Sequence, residues 1–250
     1  MKNLIIILSI VALISCSDNN KKEMVSESKD TSTIEKSQMP KKNGEMYPKL
    51  SNYIDSILLE LEKIPKERKN QLKKIALFIR TKKQSNESAN LTFICTHNSR
   101  RSHMSQIWSS TAAAYYDIEE GIETYSGGTE VTAFNPRAVE ALKRAGFKSE
   151  NSAGENPSYK ITFSDAGHEM ECFSKKYDHP KNPSENFVAI MTCSEADKNC
   201  PFIPGASLRI PIPYQDPKEA DGTSEEETIY DKRCRQIASE MFYIMSQVKA

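Results

Sequence analysis

Apolar positions along the chain form three zones, and the first is a short run at the N-terminus. Leu4–Ile14 follows the single charge of Lys2 and ends just before Cys16. Its length and flanks are typical of a secretory signal, and it is too short to cross a bilayer as a helix. Residues 17–46 are largely polar. Because such a stretch buries too little apolar surface to offset its ordering entropy, we expect a flexible tether there.

Helical spacing marks the second zone, residues 47–88. Two sets of apolar residues recur every three to four positions, one on each side of Pro65. This periodicity predicts a helical pair whose second helix opens at Pro65, since proline is favoured at helix starts. We favour packing of the pair onto the domain that follows over a partner-facing or membrane-facing role. The first set is Leu50, Ile54, Ile57, Leu58, Leu61 and Ile64, and the second is Leu72, Ile75, Ala76 and Ile79.

In the third zone, from residue 89 onward, short apolar runs alternate with helical patterns. Leu91–Ile94 and Phe187–Thr192 have the composition of buried strands, and Gly121–Gly128 is typical of a strand that ends in a turn. Residues 135–146 fit a helix with an asparagine cap and a terminal glycine, and residues 225–248 fit a terminal helix. Strands alternating with helices predict an α/β domain whose parallel sheet is covered on both faces.

Composition limits the functions that these elements can serve. The 34 basic and 34 acidic side chains give a formal net charge of zero, so the chain lacks the positive field expected of a nucleic-acid-binding protein. The mean hydropathy of -0.60 is low for one compact domain, which agrees with part of the chain lying outside any core. Six cysteines in 250 residues do not make a dense disulfide scaffold.

The candidate chemistry begins where the Leu91–Ile94 strand runs into Cys95–Ser102, after which a helical stretch continues to Tyr116. Backbone N–H groups and the helix dipole converge on a loop in this position and make it an anion cradle. A thiol at Cys95 should have a depressed pKa there, and Arg101 can fork onto two oxygens of a tetrahedral oxyanion. The pattern indicates covalent phosphoryl transfer or oxyanion reduction. The alternative is a buried structural cysteine beside solvated arginines.

Cys95–Ser102 resembles the phosphate-binding loop of the low-molecular-weight protein tyrosine phosphatase superfamily, which includes thioredoxin-coupled arsenate reductases. The resemblance implies a Rossmann-like fold over residues 89–250, with a four-stranded parallel sheet and helices on both faces, preceded by the helical pair. It also implies that Cys95 is the nucleophile and that Arg101 is the oxyanion-binding arginine.

The same resemblance gives roles to other positions of the loop. Asn98 matches the asparagine that shapes the loop, a residue that tolerates left-handed backbone, and Ser102 matches the hydroxyl that hydrogen-bonds the thiolate. His97 departs from the glycine common in these families, and Arg100 stands where many arsenate reductases carry a cysteine. We expect these two side chains to alter the fit of the substrate. The remaining residues of the predicted oxyanion-binding loop are Thr96 and Ser99.

A second landmark is the sequence Gln215-Asp216-Pro217. In the phosphatase family an Asp-Pro pair on a late loop supplies the general acid that protonates the leaving group, and Asp216 matches it by order and local sequence. The resemblance therefore implies Asp216 as the general acid. The alternative is an ordinary turn aspartate before proline.

Two further cysteines, Cys193 and Cys200, follow the late strand. Arsenate reduction needs two electrons, which thiols supply by forming a disulfide, whereas a phosphatase needs only one thiolate. The resemblance implies a relay in which Cys193 attacks Cys95 once arsenate is bound and Cys200 then attacks Cys193. In a helix this pair would be about 10.5 Å apart along the axis, beyond the roughly 7 Å limit for a disulfide, so the segment must unwind on oxidation. A static disulfide and half of a zinc site are the alternatives, and the spacing disfavours zinc.

The end of the N-terminal run, Leu13-Ile14-Ser15-Cys16, resembles the lipobox of bacterial lipoproteins. It implies that residues 1–16 are a signal peptide ending in a lipidated Cys16. The mature protein would then be exported and anchored to a bacterial membrane, periplasmic or on the outer face, through lipid alone. A misassigned N-terminal segment would leave the protein cytoplasmic, where a thioredoxin-coupled enzyme finds its reducing power.

The sequence thus favours an arsenate reductase that uses Cys95, Cys193 and Cys200. A protein tyrosine phosphatase with a phosphocysteine intermediate at Cys95 and Asp216 as general acid is the alternative, and a lipoprotein that binds an oxyanion without turnover is a third. The substrate would be a small oxyanion, arsenate or phosphate, or a phosphotyrosine. We expect no metal, no nucleic-acid partner and no cofactor beyond an external thiol reductant such as thioredoxin.

Several residues fall outside this scheme. Ser126 is expected to pack rather than to touch the loop, and Cys234 to lie in the core. Cys172, in the polar segment 169–178, has no assigned role. The histidines lack metal-ligating partners at convincing spacing and are expected on the surface or in loops; they are His103, His168 and His179.

Overall fold

The computed structural model describes residues 46–166 and 169–249. The predicted signal, the Cys16 lipidation site, nearly all of the predicted tether and His168 lie outside these ranges. Within them, no helix is both long and apolar enough to cross a membrane.

The described chain contains six helices and seven strands that alternate along most of its length. In chain order they are α1 (Pro48–Leu58), α2 (Lys66–Gln84), β1 (Ala89–Cys95), α3 (Arg101–Tyr115), β2 (Ile122–Gly128), α4 (Pro136–Ala145), β3 (Lys148–Asn151), β4 (Tyr159–Thr162), β5 (Met170–Cys172), β6 (Phe187–Met191), α5 (Ser194–Asn199), β7 (Ala206–Pro211) and α6 (Glu226–Lys249). Short 3₁₀ turns occupy Leu61–Lys63 and Pro217–Ala220.

A four-stranded parallel sheet in the order β2-β1-β6-β7 organises the molecule. Side chains alternate along its strands, so that Phe93 and Ile190 join the larger apolar cluster with most of the helices. Ile94 and Met191 point the other way and pack with Ala196 of α5 in a smaller cluster. The predicted fold class, a four-stranded parallel sheet with helices, is confirmed. The carboxyl ends of β1 and β6 meet at one edge, because Ile94 is paired with Met191.

The N-terminal helical pair forms as the periodicity predicts, with α2 beginning directly after Pro65. Leu50 and Ile54 of α1 and Ile75 and Ile79 of α2 are fully buried in the same apolar cluster as the sheet. The pair therefore packs onto the α/β domain, which is the alternative that the sequence favoured.

One glycine fixes how closely α1 approaches the end of α4. Gly146 adopts a φ of 117° as the left-handed C-cap of α4, where Asn135 caps the start by accepting from the Arg137 N–H. A Cβ at Gly146 would lie 2.4 Å from the Leu50 backbone nitrogen. The predicted asparagine cap and terminal glycine of this helix are confirmed. Because Gly146 has no side chain, α1 can also approach the end of α4 closely.

A second sheet, antiparallel in the order β3-β4-β5, was not predicted. Its strands have three or four residues and mix charged with apolar side chains, so they leave little periodic signal. The sheet sets the course of the polar segment that follows β5.

Candidate active site

The loop between β1 and α3 places the Cys95 thiol at the edge of the sheet. Cys95 is almost fully buried, and its Sγ lies 3.1 Å from Ser102 Oγ. Asn98, whose φ is 45°, donates from Nδ2 to the same Ser102 oxygen at 2.9 Å. Because Ser102 Oγ already accepts from Asn98, its own hydrogen is available to the sulfur. This chain of hydrogen bonds aims the Ser102 hydroxyl at the Cys95 sulfur.

The segment after β5, for which the sequence predicts no role, braces this loop from outside. The Lys175 backbone N–H donates to Asn98 Oδ1 at 3.0 Å, and Ser174 Oγ donates to the His97 carbonyl at 2.9 Å. Lys175 also accepts from the Gly128 N–H at 2.8 Å, which ties the segment to the end of β2. Each of these three bonds has a backbone donor or a backbone acceptor, so no side-chain pattern in the sequence could have revealed them.

Arg101 and Asp216 face each other across the mouth of the loop. Arg101 Nη2 lies 2.5 Å from Asp216 Oδ2, and Arg101 Nη1 donates to the Tyr214 carbonyl at 2.9 Å. The Arg101 side chain is only 9% exposed, and its Nε has no hydrogen-bond partner within the described residues. A buried guanidinium N–H without a partner is costly, and a tetrahedral oxyanion in this pocket would supply the missing acceptor.

The pocket above the thiol is small, and it is lined by some of the predicted loop residues together with Asp216. Its lining is Cys95, His97, Ser99, Arg100, Arg101 and Asp216.

Arg100 and His97, the two loop residues that depart from the family pattern, both contact polar side chains outside the loop. Arg100 Nε donates to Tyr230 Oη on α6 at 2.8 Å, and Arg100 Nη2 lies 3.5 Å from Asp221. His97 Nε2 lies 3.2 Å from a Glu130 carboxylate oxygen. Tyr230 orients the second arginine and Asp221 partly neutralises it, while Arg101 makes the shorter carboxylate contact, with Asp216.

Cys193 stands beside the loop, at the end of β6. Its buried sulfur lies 3.4 Å from Thr96 Oγ1 and accepts from the Ala196 N–H at 3.3 Å, so it caps the start of α5. Glu195 Oε2 lies 3.3 Å from the same Thr96 hydroxyl. The structure thus brings Cys193 against the residue that directly follows Cys95.

Cys200 caps the opposite end of α5, is partly exposed and is not bonded to Cys193. Arg209 on β7 holds this end: its Nη2 donates to the Asp197 carbonyl at 2.5 Å and to Asp197 Oδ1 at 2.6 Å, and its Nε donates to the Cys200 carbonyl at 3.1 Å. With the intervening residues helical, a disulfide requires α5 to open.

The other two described cysteines lie away from the pocket. Burial raises the pKa of both thiols to about 12, which makes them poor nucleophiles near neutral pH. Cys172 lies in β5, and Cys234 accepts a hydrogen bond from Trp108 Nε1 at 3.2 Å in the core, as predicted for Cys234.

The prediction of a surface or loop position for His103 is wrong. His103 lies in α3, fully buried, and stacks on Phe134 with ring centroids 4.1 Å apart. Its Nδ1 lies 3.1 Å from Ser126 Oγ, so Ser126 packs against this ring as a hydrogen-bonding partner. Burial and the nearby Lys175 cation lower the pKa of His103 well below its usual value, so the ring is neutral. The error arose because α3 is buried around most of its circumference, which erases the amphipathic pattern. His179, by contrast, lies in a turn.

Comparison with known proteins shows that the chain is similar in sequence to arsenate reductases. The chain is 29% identical over 125 residues to arsenate reductase 2 of Staphylococcus epidermidis, which covers 50% of this chain and 76% of that protein. It is 29% identical over 149 residues to the arsenate reductase of Bacillus subtilis, which covers 60% of this chain and 88% of that protein. No family model matches.

Among solved structures, a low-molecular-weight phosphotyrosine phosphatase from Vibrio cholerae matches with a TM-score of 0.44 and 15% identity, covering 64% of this chain and 95% of that one. In sequence the chain is therefore similar to arsenate reductases, and its loop between β1 and α3 carries the residues by which it resembles the low-molecular-weight protein tyrosine phosphatase superfamily.

Proposed function

We propose that the protein is a thiol-dependent arsenate reductase in which Cys95, Cys193 and Cys200 carry the electrons. The observation that favours reduction over hydrolysis is the position of Cys193, whose sulfur lies 3.4 Å from the hydroxyl of Thr96, the neighbour of Cys95. A phosphatase has no use for a second buried thiol at this place. The curated arsenate reductases among the relatives support the same activity.

The reaction begins with an oxyanion held by the loop amides and by the free Nε of Arg101. The Cys95 thiolate attacks arsenic, and one arsenate oxygen leaves as water with protons that include one from Asp216. This step forms a sulfur–arsenic bond and leaves arsenic in the +5 state. Ser102 and Asn98 hold the thiolate in place for the attack.

The electrons move in the next two steps. Cys193 attacks the Cys95 sulfur, so a Cys95–Cys193 disulfide forms while the sulfur–arsenic bond breaks and its electron pair reduces arsenic to arsenite. Cys200 then attacks the Cys193 sulfur, which forms a Cys193–Cys200 disulfide and frees the Cys95 thiolate. In total, two thiols and arsenic acid give one disulfide, arsenous acid and water. An external dithiol such as thioredoxin returns the disulfide to two thiols.

The test of this function is arsenite release by the reduced protein in the presence of arsenate and a dithiol reductant. We expect multiple turnovers with dithiothreitol, and faster turnover with thioredoxin and its reductase. Hydrolysis of an aryl phosphate with no arsenite release would assign the protein as a phosphatase. Binding of arsenate without either reaction would leave an oxyanion-binding protein.

Phosphatase activity is the second candidate, and it would use Asp216 as its general acid. Asp216, with its side chain 27% exposed, stands 2.5 Å from Arg101 at the mouth of the pocket, in reach of a leaving group on a phosphate bound there. The same aspartate serves the reductase by protonating the departing oxygen.

Substitution of Arg209 should change the equilibrium between the dithiol and disulfide forms of Cys193 and Cys200. Because it bonds the C-terminal end of α5 in the dithiol form, replacing it by leucine should favour the opened, disulfide form. Charge-assisted hydrogen bonds contribute about 1.5–3 kcal/mol each when buried, and less here since about a quarter of each side chain is exposed. We expect the equilibrium constant for Cys193–Cys200 oxidation by oxidised dithiothreitol to rise about tenfold, a shift of roughly 30 mV.

The matched variant is Asp197→Asn, which removes the carboxylate but leaves both carbonyl acceptors of Arg209 in place. It should shift the same equilibrium by only a few-fold. Equal oxidation of wild type and Arg209→Leu at every redox-buffer ratio would show that Arg209 does not hold the segment closed.

We also propose that the chain reaches a bacterial membrane as a lipoprotein through Cys16 and that the reductant is a thioredoxin-like protein of the same compartment. The apolar run, the lipobox-like quartet and the polar stretch that follows support the anchor. Mass spectrometry of the protein isolated from bacterial membranes would detect a diacylglyceryl group on Cys16. An intact Met1 in a soluble fraction would overturn this part of the proposal.

A further inference from the structure

The N-terminal helical pair touches the segment that fixes the oxyanion arginine. Arg68, in the first turn of α2, donates from Nη2 to the Ile212 carbonyl at 3.2 Å. Its guanidinium carbon lies 4.9 Å from the centre of the Tyr214 ring, a cation–π distance. Residues 212–214 follow β7 and lead directly to Asp216.

A buried carboxylate joins Arg68 and Tyr214 into one network. Glu240 of α6, whose side chain is 4% exposed, accepts from Arg68 at 2.8 and 3.0 Å and from Tyr214 Oη at 2.7 Å. Burial and the Glu240 charge raise the pKa of Tyr214 well above its ordinary value, so its hydroxyl remains a donor. Arg68 and Tyr214 thus both donate hydrogen bonds to the buried Glu240 carboxylate. Removal of Arg68 would leave this carboxylate without its cationic partner, which is strongly destabilising.

The backbone of Tyr214 connects this network to the active site. The Tyr214 carbonyl accepts from Arg101 Nη1 at 2.9 Å, and its N–H donates to the Thr192 carbonyl at 3.0 Å. Arg101 therefore has two anchors, the Tyr214 carbonyl and the Asp216 carboxylate, and both lie on the segment that Arg68 holds. An oxyanion that takes the place of Asp216 leaves Tyr214 as the remaining anchor.

We propose that Arg68 is a positioning residue for oxyanion binding: through Ile212, Tyr214 and Glu240 it fixes the carbonyl that orients the Arg101 guanidinium. Through Arg68, the N-terminal helical pair thus contributes to the geometry of the anion site. The inference rests on the proposed function only in requiring that an oxyanion binds at Arg101, and it holds equally for reduction and hydrolysis.

The test is calorimetric titration with inorganic phosphate, which needs no turnover. Arg68→Met should weaken phosphate binding about tenfold, and Arg68→Lys, which keeps a charge but loses the forked geometry, should weaken it about threefold. The matched control is Ile79→Ala, a core truncation on the far end of α2. It lowers the thermal midpoint but should leave the phosphate dissociation constant within twofold. All titrations are run at a temperature where circular dichroism shows each variant folded.

The outcomes separate the two proposals. If wild type binds phosphate and the Arg68 variants bind it equally well, or if Ile79→Ala weakens binding as much as Arg68→Met, the positioning role is overturned while the proposed function stands. If wild type binds no phosphate or arsenate, the proposed function is overturned and this role with it. Should Arg68→Met not fold, the Arg68→Lys titration decides the question.

Discussion

Replacing Cys95 by serine should abolish arsenate reduction, with a loss on the order of 10⁴-fold or more in turnover. A serine hydroxyl stays protonated at neutral pH, and an oxygen at this position cannot form the disulfide on which electron transfer depends. The fold should survive, because serine is close in size and can take the hydrogen bond that Ser102 gives the sulfur. Arsenite release per mole of protein, measured by chromatography of arsenic species, checks the result.

Binding distinguishes loss of the nucleophile from loss of the pocket. Cys95→Ser should still bind phosphate within a few-fold of wild type, since Arg101 and the loop amides are unchanged. Cys172→Ala is the matched control, a buried cysteine outside the pocket whose raised pKa makes it unreactive, and it should keep wild-type turnover per folded molecule. Turnover above about 1% of wild type in Cys95→Ser would refute its role as nucleophile.

The second large effect is expected from Cys193→Ser. Serine is a good helix N-cap, so it preserves the bond from the Ala196 N–H and the contact with Thr96 while removing the redox sulfur. Arsenate reduction should fall by at least about 10³-fold, because no thiol then stands in place to attack the Cys95 sulfur and send the sulfur–arsenic bonding pair to arsenic. Steady-state arsenite release is measured at a dithiothreitol concentration that recycles the wild type but is too low for the reagent to replace Cys193.

A phosphatase would respond differently to the same substitution. If the protein hydrolyses aryl phosphates, that activity should be within a few-fold of wild type in Cys193→Ser and absent in Cys95→Ser. Cys193→Ser with full arsenate reductase activity would contradict the relay, and it would point to direct attack of the external thiol on the Cys95 adduct.

The sequence predicted the parts of the site that are local. Cys95, Asn98 and Ser102 lie within eight consecutive residues that lead from the end of β1 into α3, so their mutual geometry follows from this short segment. The parallel sheet was predictable for a similar reason, because each buried strand is a short apolar run. The capped helix 136–145 carried its signals in adjacent residues, asparagine before it and glycine after it.

The parts that escaped prediction depend on distant contacts. The family resemblance implied Asp216 as a general acid, but it did not indicate that Asp216 pairs with Arg101 across more than a hundred residues. The bonds from residues 174–175 to the loop are made partly by backbone groups. The antiparallel sheet that precedes these residues leaves little periodic signal in the sequence. The contacts of Arg68 could not be predicted, because a single arginine in the polar first turn of a helix is usually solvent-exposed. His103 was misplaced because its helix is buried nearly all round.

The central claim is that arsenate is reduced by this chain's own three thiols, and one experiment addresses it without any external reductant. Fully reduced protein is mixed anaerobically with arsenate, quenched with an alkylating reagent and mapped by mass spectrometry, while arsenite is counted in the supernatant. We predict about one arsenite per protein and a Cys193–Cys200 disulfide, with Cys95 alkylated. Full alkylation of Cys193 and Cys200 with no arsenite released would contradict the account.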